Sequence, residues 1–99
     1  MTAAPGEIWL ADGGEETQRL VFVISDIRFH RLAERAVVAP LLAEVPASPR
    51  PWHVLLSGGR VVAVNQLGTM PIDRLLERVE RADAETLRRA RHAVRAIAS

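Results

Sequence analysis

The apolar positions divide the chain into short blocks. In Gly6-Glu7-Ile8-Trp9-Leu10-Ala11, Ile8 and Leu10 alternate, a spacing that predicts a short first strand. Asp12-Gly13-Gly14-Glu15-Glu16-Thr17 is polar and glycine-bearing and predicts a loop. Leu20-Val21-Phe22-Val23-Ile24 is an unbroken, β-branched-rich run directly after Arg19, which predicts a buried strand. From Asp26 to Glu34 charge is mixed with Ile27, Phe29 and Leu32, so a loop or short helical turn is expected. Ala36 to Leu42 reads as the next strand. Pro40 within it cannot donate to a ladder and must sit at an edge, a bulge or a strand end. Pro46 to Pro51 is a stiff loop with three prolines. Trp52–Leu56 and Arg60–Val64 flank Gly58-Gly59, the pattern of a β-hairpin with a tight primed turn.

Two segments remain. Leu75, Leu76, Val79 and Ala82 have helical spacing, but the stretch 72–82 is short. The last segment is clearer. Asp83 is placed to cap a helix, Glu85 falls in its first turn, and Leu87, Ala90, Val94 and Ile97 form an apolar stripe. Strands followed by one terminal helix suggest a mainly β protein, a small antiparallel barrel capped by that helix. At 99 residues, the expectation is a single domain over 1–99.

Composition narrows the chemistry. There is no cysteine, so disulfides, thiolate catalysis and cysteine-ligated zinc are excluded. Three scattered histidines have no ligand spacing, and no metal or other cofactor is expected. The longest apolar runs fall far short of a membrane span, and MTAAPGEIW lacks the basic start and apolar stretch of a secretory signal. A soluble cytoplasmic protein is therefore expected. The net charge is only +1, yet it is unevenly spread. Residues 1–18 hold four acids and no base, whereas 86–99 hold Arg88, Arg89, Arg91 and Arg95 and no acid. On charge alone these are a solvated loop and a solvated helix face. Arg19, likewise, reads on pattern alone as a charged residue blunting a strand end. Trp9 and Trp52 read as core or interface residues, with base stacking on Trp52 as the alternative.

Four motifs in order change that reading. Gly6-Glu7-Ile8-Trp9, then Arg19 heading a Val-rich strand that ends at Ser25, then Val37-Val38-Ala39-Pro40-Leu41, then Asn65-Gln66-Leu67-Gly68-Thr69 together resemble the MazF/PemK/Kid-type toxins of type II toxin–antitoxin systems. The closing Asp73-Arg74-Leu75 and the helix from Asp83 fit the same pattern. The resemblance implies an SH3-like barrel, usually a homodimer, with a strand rather than a helix over 76–80. It implies a sequence-selective endoribonuclease that cleaves single-stranded RNA without metal. A cognate antitoxin would lay a disordered tail over the groove. Arg19 matches the family's principal catalytic residue. Glu15, Glu16, Gln18, Ser25, His53, Gln66 and Thr69 are the RNA-binding positions it implies, and the Arg-rich helix face becomes a possible antitoxin contact.

The sequence also departs from the family. Where the family has Pro-Leu-Thr, this chain has Pro40-Leu41-Leu42, and leucine neither donates nor accepts a hydrogen bond. Leu20 stands in place of a Pro, and the loop before Arg19 is shorter. Ser25, His30 and His53 are the groups then left to handle a proton. Two rival readings follow. One is a CcdB-like inhibitor of DNA gyrase, since Arg19 to Ile27 resembles that protein too; the Trp-Gly-Ile ending of CcdB is absent from Ala96-Ile97-Ala98-Ser99. The other is an attenuated, non-catalytic homologue, supported by Leu42.

Overall fold

The computed structural model describes residues 2–14 and 17–98. Seven strands and two helices follow in the order β1 (Glu7–Gly14), β2 (Thr17–Val23), α1 (Ile27–Ala33), β3 (Arg35–Leu42), β4 (His53–Leu55), β5 (Val61–Ala63), β6 (Gly68–Pro71), β7 (Leu75–Arg81) and α2 (Ala84–Ala98). Single 3-10 turns, Val64–Gln66 and Ile72–Arg74, flank β6. All pairings are antiparallel, and the hydrogen-bonded path runs β4-β5-β3-β2-β1-β7.

β3 is the strand on which the barrel bends. One edge pairs with β2, from Val38 to Pro40. The other edge is shared: Arg35–Val38 pair with β6, and Leu41 and Leu42 pair with β5. Pro40 falls between those two ladders, where neither calls for the N–H it lacks. An ion pair between Arg60, just before β5, and Glu80 of β7 links elements from the two ends of the path. The result is a partly open SH3-like barrel with α2 packed on it.

Both faces of the central strands are apolar, and this explains the unbroken run in β2. Ile8, Phe22, Ala39, Val54, Val62 and Val64 pack under Ala90 and Ala93 of α2. Trp9, Ala11, Val21, Val23, Val38 and Leu75 form a second cluster on the opposite face. A strand covered on one side only would have shown polar residues at alternate positions.

α2 begins as the sequence suggested. The Asp83 carboxylate accepts both the Thr86 N–H, at 2.8 Å, and the Thr86 hydroxyl, at 2.7 Å. These bonds hold the Asp83 carboxyl below its ordinary value. The buried stripe is displaced from the expected one: Thr86, Ala90 and Ala93 are buried, Leu87 and Val94 are at the margin, and Ile97 is 39% exposed. Two of the helix arginines anchor it to the barrel, Arg91 donating to the Ile24 carbonyl and Arg89 to that of Leu55.

The β4–β5 hairpin forms as expected, but Leu56 faces Arg60 and the loop is the three residues Ser57, Gly58 and Gly59 rather than a two-residue primed turn. Gly58 and Gly59 have φ of +86° and +85°, and the Leu56 N–H meets the Arg60 carbonyl at 2.8 Å. Nothing crowds either Cα, so only backbone strain opposes a side chain there. Gly58→Ala and Gly59→Ala are each expected to cost about 1 kcal/mol, measured as a lower urea midpoint.

One expectation is corrected and two segments left open by the sequence are settled. The predicted loop at 12–17 is largely strand: β1 runs to Gly14, with Asp12 opposite Gln18 and a bulge between Asp12 and Gly14. The helical spacing at 72–82 is accidental, because Leu75–Arg81 is a strand paired with β1, as the resemblance implied. Asp26–Glu34 contains a true helix, α1, capped by Asp26 through the Arg28 N–H and closed by Glu34 at φ 56°.

Candidate nucleic-acid interface

A groove of about 520 Å³ opens on the side of the barrel away from α2. Ala11, Val21, Val38 and Pro40 form its apolar floor, continuous with the second core cluster. Its polar walls carry Arg19 from β2, Arg35 from β3, Arg74 from the turn before β7, and Gln66 and Thr69 from either side of Leu67. Asp12 is the one acid among the described residues lining it. Three guanidinium groups against one carboxylate make this a cationic groove, of a kind that attracts phosphate oxygens.

The bulged end of β1 sets the position of Arg19. Ala11 pairs with Arg19, and beyond the bulge Gly14 pairs with Thr17. The Thr17 hydroxyl donates to the Gly14 carbonyl at 2.6 Å, and Asp12 Oδ1 accepts the Gly14 N–H at 2.9 Å. Gly13 lies against the guanidinium. A Cβ on it would come within 3.1 Å of Arg19 Nε and Nη2 and 3.0 Å of Thr17 Oγ1. A strand that looked like a flexible glycine loop is thus the shelf on which Arg19 rests.

Arg35 is held from the opposite wall. Its Nε donates to Thr69 Oγ1 and its Nη2 to the Thr69 carbonyl, both at 3.2 Å. Among the described residues, none of the three groove arginines forms an ion pair; the pairs present are Arg60–Glu80, Arg78–Glu7 and Arg88–Glu85.

The structure therefore brings together Arg19, Gln66 and Thr69 of the residues expected from sequence. It separates the others. Gln18 is exposed and, by strand alternation, turned away from the Arg19 face. The Ser25 hydroxyl is engaged in the fold: it accepts the Val37 N–H at 2.8 Å and lies 2.6 Å from His30 Nε2. His30 is buried, with Nδ1 3.0 Å from the Ala3 carbonyl. A carbonyl only accepts, so Nδ1 carries the proton and, in the neutral ring, Nε2 accepts from Ser25. This pair ties the N-terminal segment to β3 and leaves neither group for the groove. His53 is on the far side, beside Arg88, Arg89 and His92 of α2; its Nδ1 accepts the Arg50 N–H at 2.9 Å. Trp52 packs on the first core cluster. Glu15 and Glu16 lie outside the described residues. Leu42, at the end of β3 opposite Val61, shares the face of Val38 and Pro40 by alternation but does not line the groove.

Asp12, Arg35 and Arg74 were not among the residues expected. Asp12 was hidden in the presumed loop. Arg74 stands inside the Asp73-Arg74-Leu75 motif, which offered a signal. Arg35 had none, because its placement depends on β6 pairing with the first half of β3.

The structure is thus a small SH3-like barrel whose groove has an apolar floor and an arginine-rich rim. Comparison with known proteins makes this specific. The family model described as "PemK-like, MazF-like toxin of type II toxin-antitoxin system" matches residues 4–98, and the chain belongs to that family. Among solved structures, an endoribonuclease in complex with its cognate antitoxin from a mycobacterial species is similar, with a TM-score of 0.82 at 15% identity over 95% of this chain and 92% of that one. A MazE-MazF structure from Deinococcus radiodurans gives 0.81 at 18% identity, covering 98% and 96%. The Mycobacterium tuberculosis toxin MazF-mt6 gives 0.70 at 17% identity, covering 89% and 91%. At such identities the likeness is one of fold. A comparison with curated protein sequences found no match.

Proposed function

We propose that this protein is the toxin of a type II toxin–antitoxin pair and a sequence-selective endoribonuclease that cuts single-stranded RNA without a metal ion. The observation that carries the reading is the placement of Arg19, seated against Gly13 in a groove shared with Arg35 and Arg74. In the proposed reaction the ribose 2′-oxygen attacks the adjacent phosphorus and the bond to the 5′-oxygen breaks. The products are a 2′,3′-cyclic phosphate and, once solvent water protonates the departing oxygen, a 5′-hydroxyl. Negative charge builds on the phosphoryl oxygens, and guanidinium groups fixed around them stabilise that charge. Solvent water takes up the 2′-hydroxyl proton, while the Asp12 carboxylate accepts the Gly14 N–H through Oδ1. Gln66 offers amide hydrogen bonds to bases over an apolar floor.

The partner in this reading is an antitoxin whose disordered, acidic segment folds across the groove and excludes RNA. The toxin itself acts as a homodimer. Mapping RNA ends by sequencing after induction in cells tests the function. Defined, sequence-specific cuts that vanish on co-expression of the antitoxin support it. A growth defect with no new RNA ends, or no defect at all, would contradict it.

Gly13→Ala gives a milder test of the shelf under Arg19. The added methyl must push the guanidinium or Thr17 by a few tenths of an ångström. A loss of cleavage on the order of tenfold is expected, with the melting temperature nearly unchanged, because Gly13 is exposed.

A further inference from the structure

Among the described residues, the guanidinium of Arg35 is held on one edge and free on the other. Thr69 takes the Nε hydrogen through its hydroxyl oxygen and an Nη2 hydrogen through its carbonyl, both at 3.2 Å. Two hydrogens on Nη1 and one on Nη2 remain, arranged as a planar fork. That fork has the geometry for bidentate contact with two oxygens of one tetrahedral anion. A side chain already fixed at two points loses little further freedom when it binds. The Thr69 hydroxyl accepts from Arg35 Nε, so its own hydrogen is available as a donor. Arg35 and Thr69 line the same groove as Arg19. Leu42, by contrast, carries no hydroxyl and lies outside the groove lining.

We infer that Arg35, oriented by Thr69, is a second phosphate-binding residue of this groove, and that the Thr69 hydroxyl donates to the same phosphate of a single-stranded RNA. The inference rests on the reading of the groove as an RNA site. It assigns to β6 the hydroxyl that the family pattern would have placed at position 42. The free fork of Arg35 and the Thr69 hydroxyl place donors side by side, an arrangement that suits phosphate oxygens.

The test separates binding from cutting. A randomised RNA pool with every 2′-hydroxyl methylated cannot be cleaved through that oxygen. Its affinity is measured by fluorescence anisotropy over a salt series for wild type, Arg35→Ala, Arg35→Lys and Thr69→Val. Cleavage of the unmethylated pool is timed in parallel. Arg35→Ala is expected to reduce the slope of log affinity against log salt by about 0.7, the value of one phosphate contact on a single strand. Arg35→Lys keeps the slope, since it keeps the charge. It nevertheless loses cleavage on the order of tenfold, because an ammonium cannot form the fork. Thr69→Val also keeps the slope and loses cleavage. Arg35 and Thr69 are both exposed, and equal melting temperatures confirm that each variant is folded.

An unchanged slope and rate in Arg35→Ala overturns the inference while leaving the nuclease reading in place. A slope that depends on Arg35 in a protein that never cuts RNA upholds the phosphate contact and removes the nuclease reading. Wild-type protein that ignores the RNA pool but binds an acidic peptide through Arg35 overturns both.

Discussion

Replacing Arg19 by alanine is expected to lower RNA cleavage by about two to three orders of magnitude and to leave the fold intact. The two halves of this expectation have separate grounds. The side chain is exposed, takes part in none of the ion pairs among the described residues, and projects from a strand held by backbone pairing on both edges. Its removal therefore opens no cavity. In the groove, however, its guanidinium lies against Gly13 on the same lining as Arg35 and Arg74, where a positive charge stabilises the charge that develops on the phosphate. Arg19→Lys should recover only part of the loss, because an ammonium is a point charge that cannot grip two oxygens in plane. Single-turnover rates, with melting curves alongside, make the measurement. Cleavage by Arg19→Ala at the wild-type rate would remove Arg19 from the mechanism.

Glu7 should give the largest effect on stability. Its side chain is only 4% exposed, at the start of β1. Oε1 accepts the Ala4 N–H at 2.7 Å and the Trp9 indole N–H at 3.1 Å, and Oε2 meets Arg78 Nη1 at 3.2 Å. Glu7→Ala leaves the buried indole and an amide without an acceptor, and a loss of about 2–4 kcal/mol in unfolding free energy is expected. Arg78→Ala should cost less than about 1 kcal/mol, since that side chain is 60% exposed and screened by solvent. Acid gives a second signature. Burial on its own raises the Glu7 carboxyl; the bonds from Ala4, Trp9 and Arg78 and the Arg78 charge outweigh it and hold the group below its ordinary 4.5. The folded state thus binds the proton less readily than the unfolded chain. The stabilisation is complete above 4.5 and is lost as the pH falls through the lower folded value. The gap in urea midpoint between wild type and Glu7→Gln should accordingly narrow in acid. A gap that stays constant, or an alanine variant as stable as wild type, would contradict this role.

What could be read from the sequence depended on where each segment is buried. β2 and the β4–β5 hairpin were legible because burial on two faces and two positive φ angles leave direct marks in residue choice. The outer half of β1 was not. Asp12 and Gly13 face a groove rather than a core, so their polarity mimicked a loop while backbone pairing made them a strand. β7 failed for a related reason: only Leu75 is buried, and the remaining six residues are exposed, so no period-two signal survives. The resemblance to the toxin family supplied that strand and singled out Arg19.

The site was half legible. Arg19, Gln66 and Thr69 meet in the groove, but Arg35, and Arg74 in the turn after β6, reach it through a ladder between β3 and β6 that joins positions thirty or more residues apart. Ser25 was misleading because a strand-end hydroxyl serves catalysis and structure equally well on paper. Here it fastens β3 and the buried His30. Leu42 weakened the catalytic reading only while the missing hydroxyl was assumed to belong at that position. The groove holds another, on Thr69.

The central claim is that the arginine-lined groove cuts RNA through the 2′-oxygen. Its most direct measurement is the chemistry of the new ends, taken with purified protein, total RNA and an excess of chelator. The account predicts 2′,3′-cyclic phosphates and 5′-hydroxyls, formed with chelator present and not by Arg19→Ala. Ends carrying 3′-hydroxyls and 5′-phosphates, or cleavage that needs a divalent ion, would contradict it.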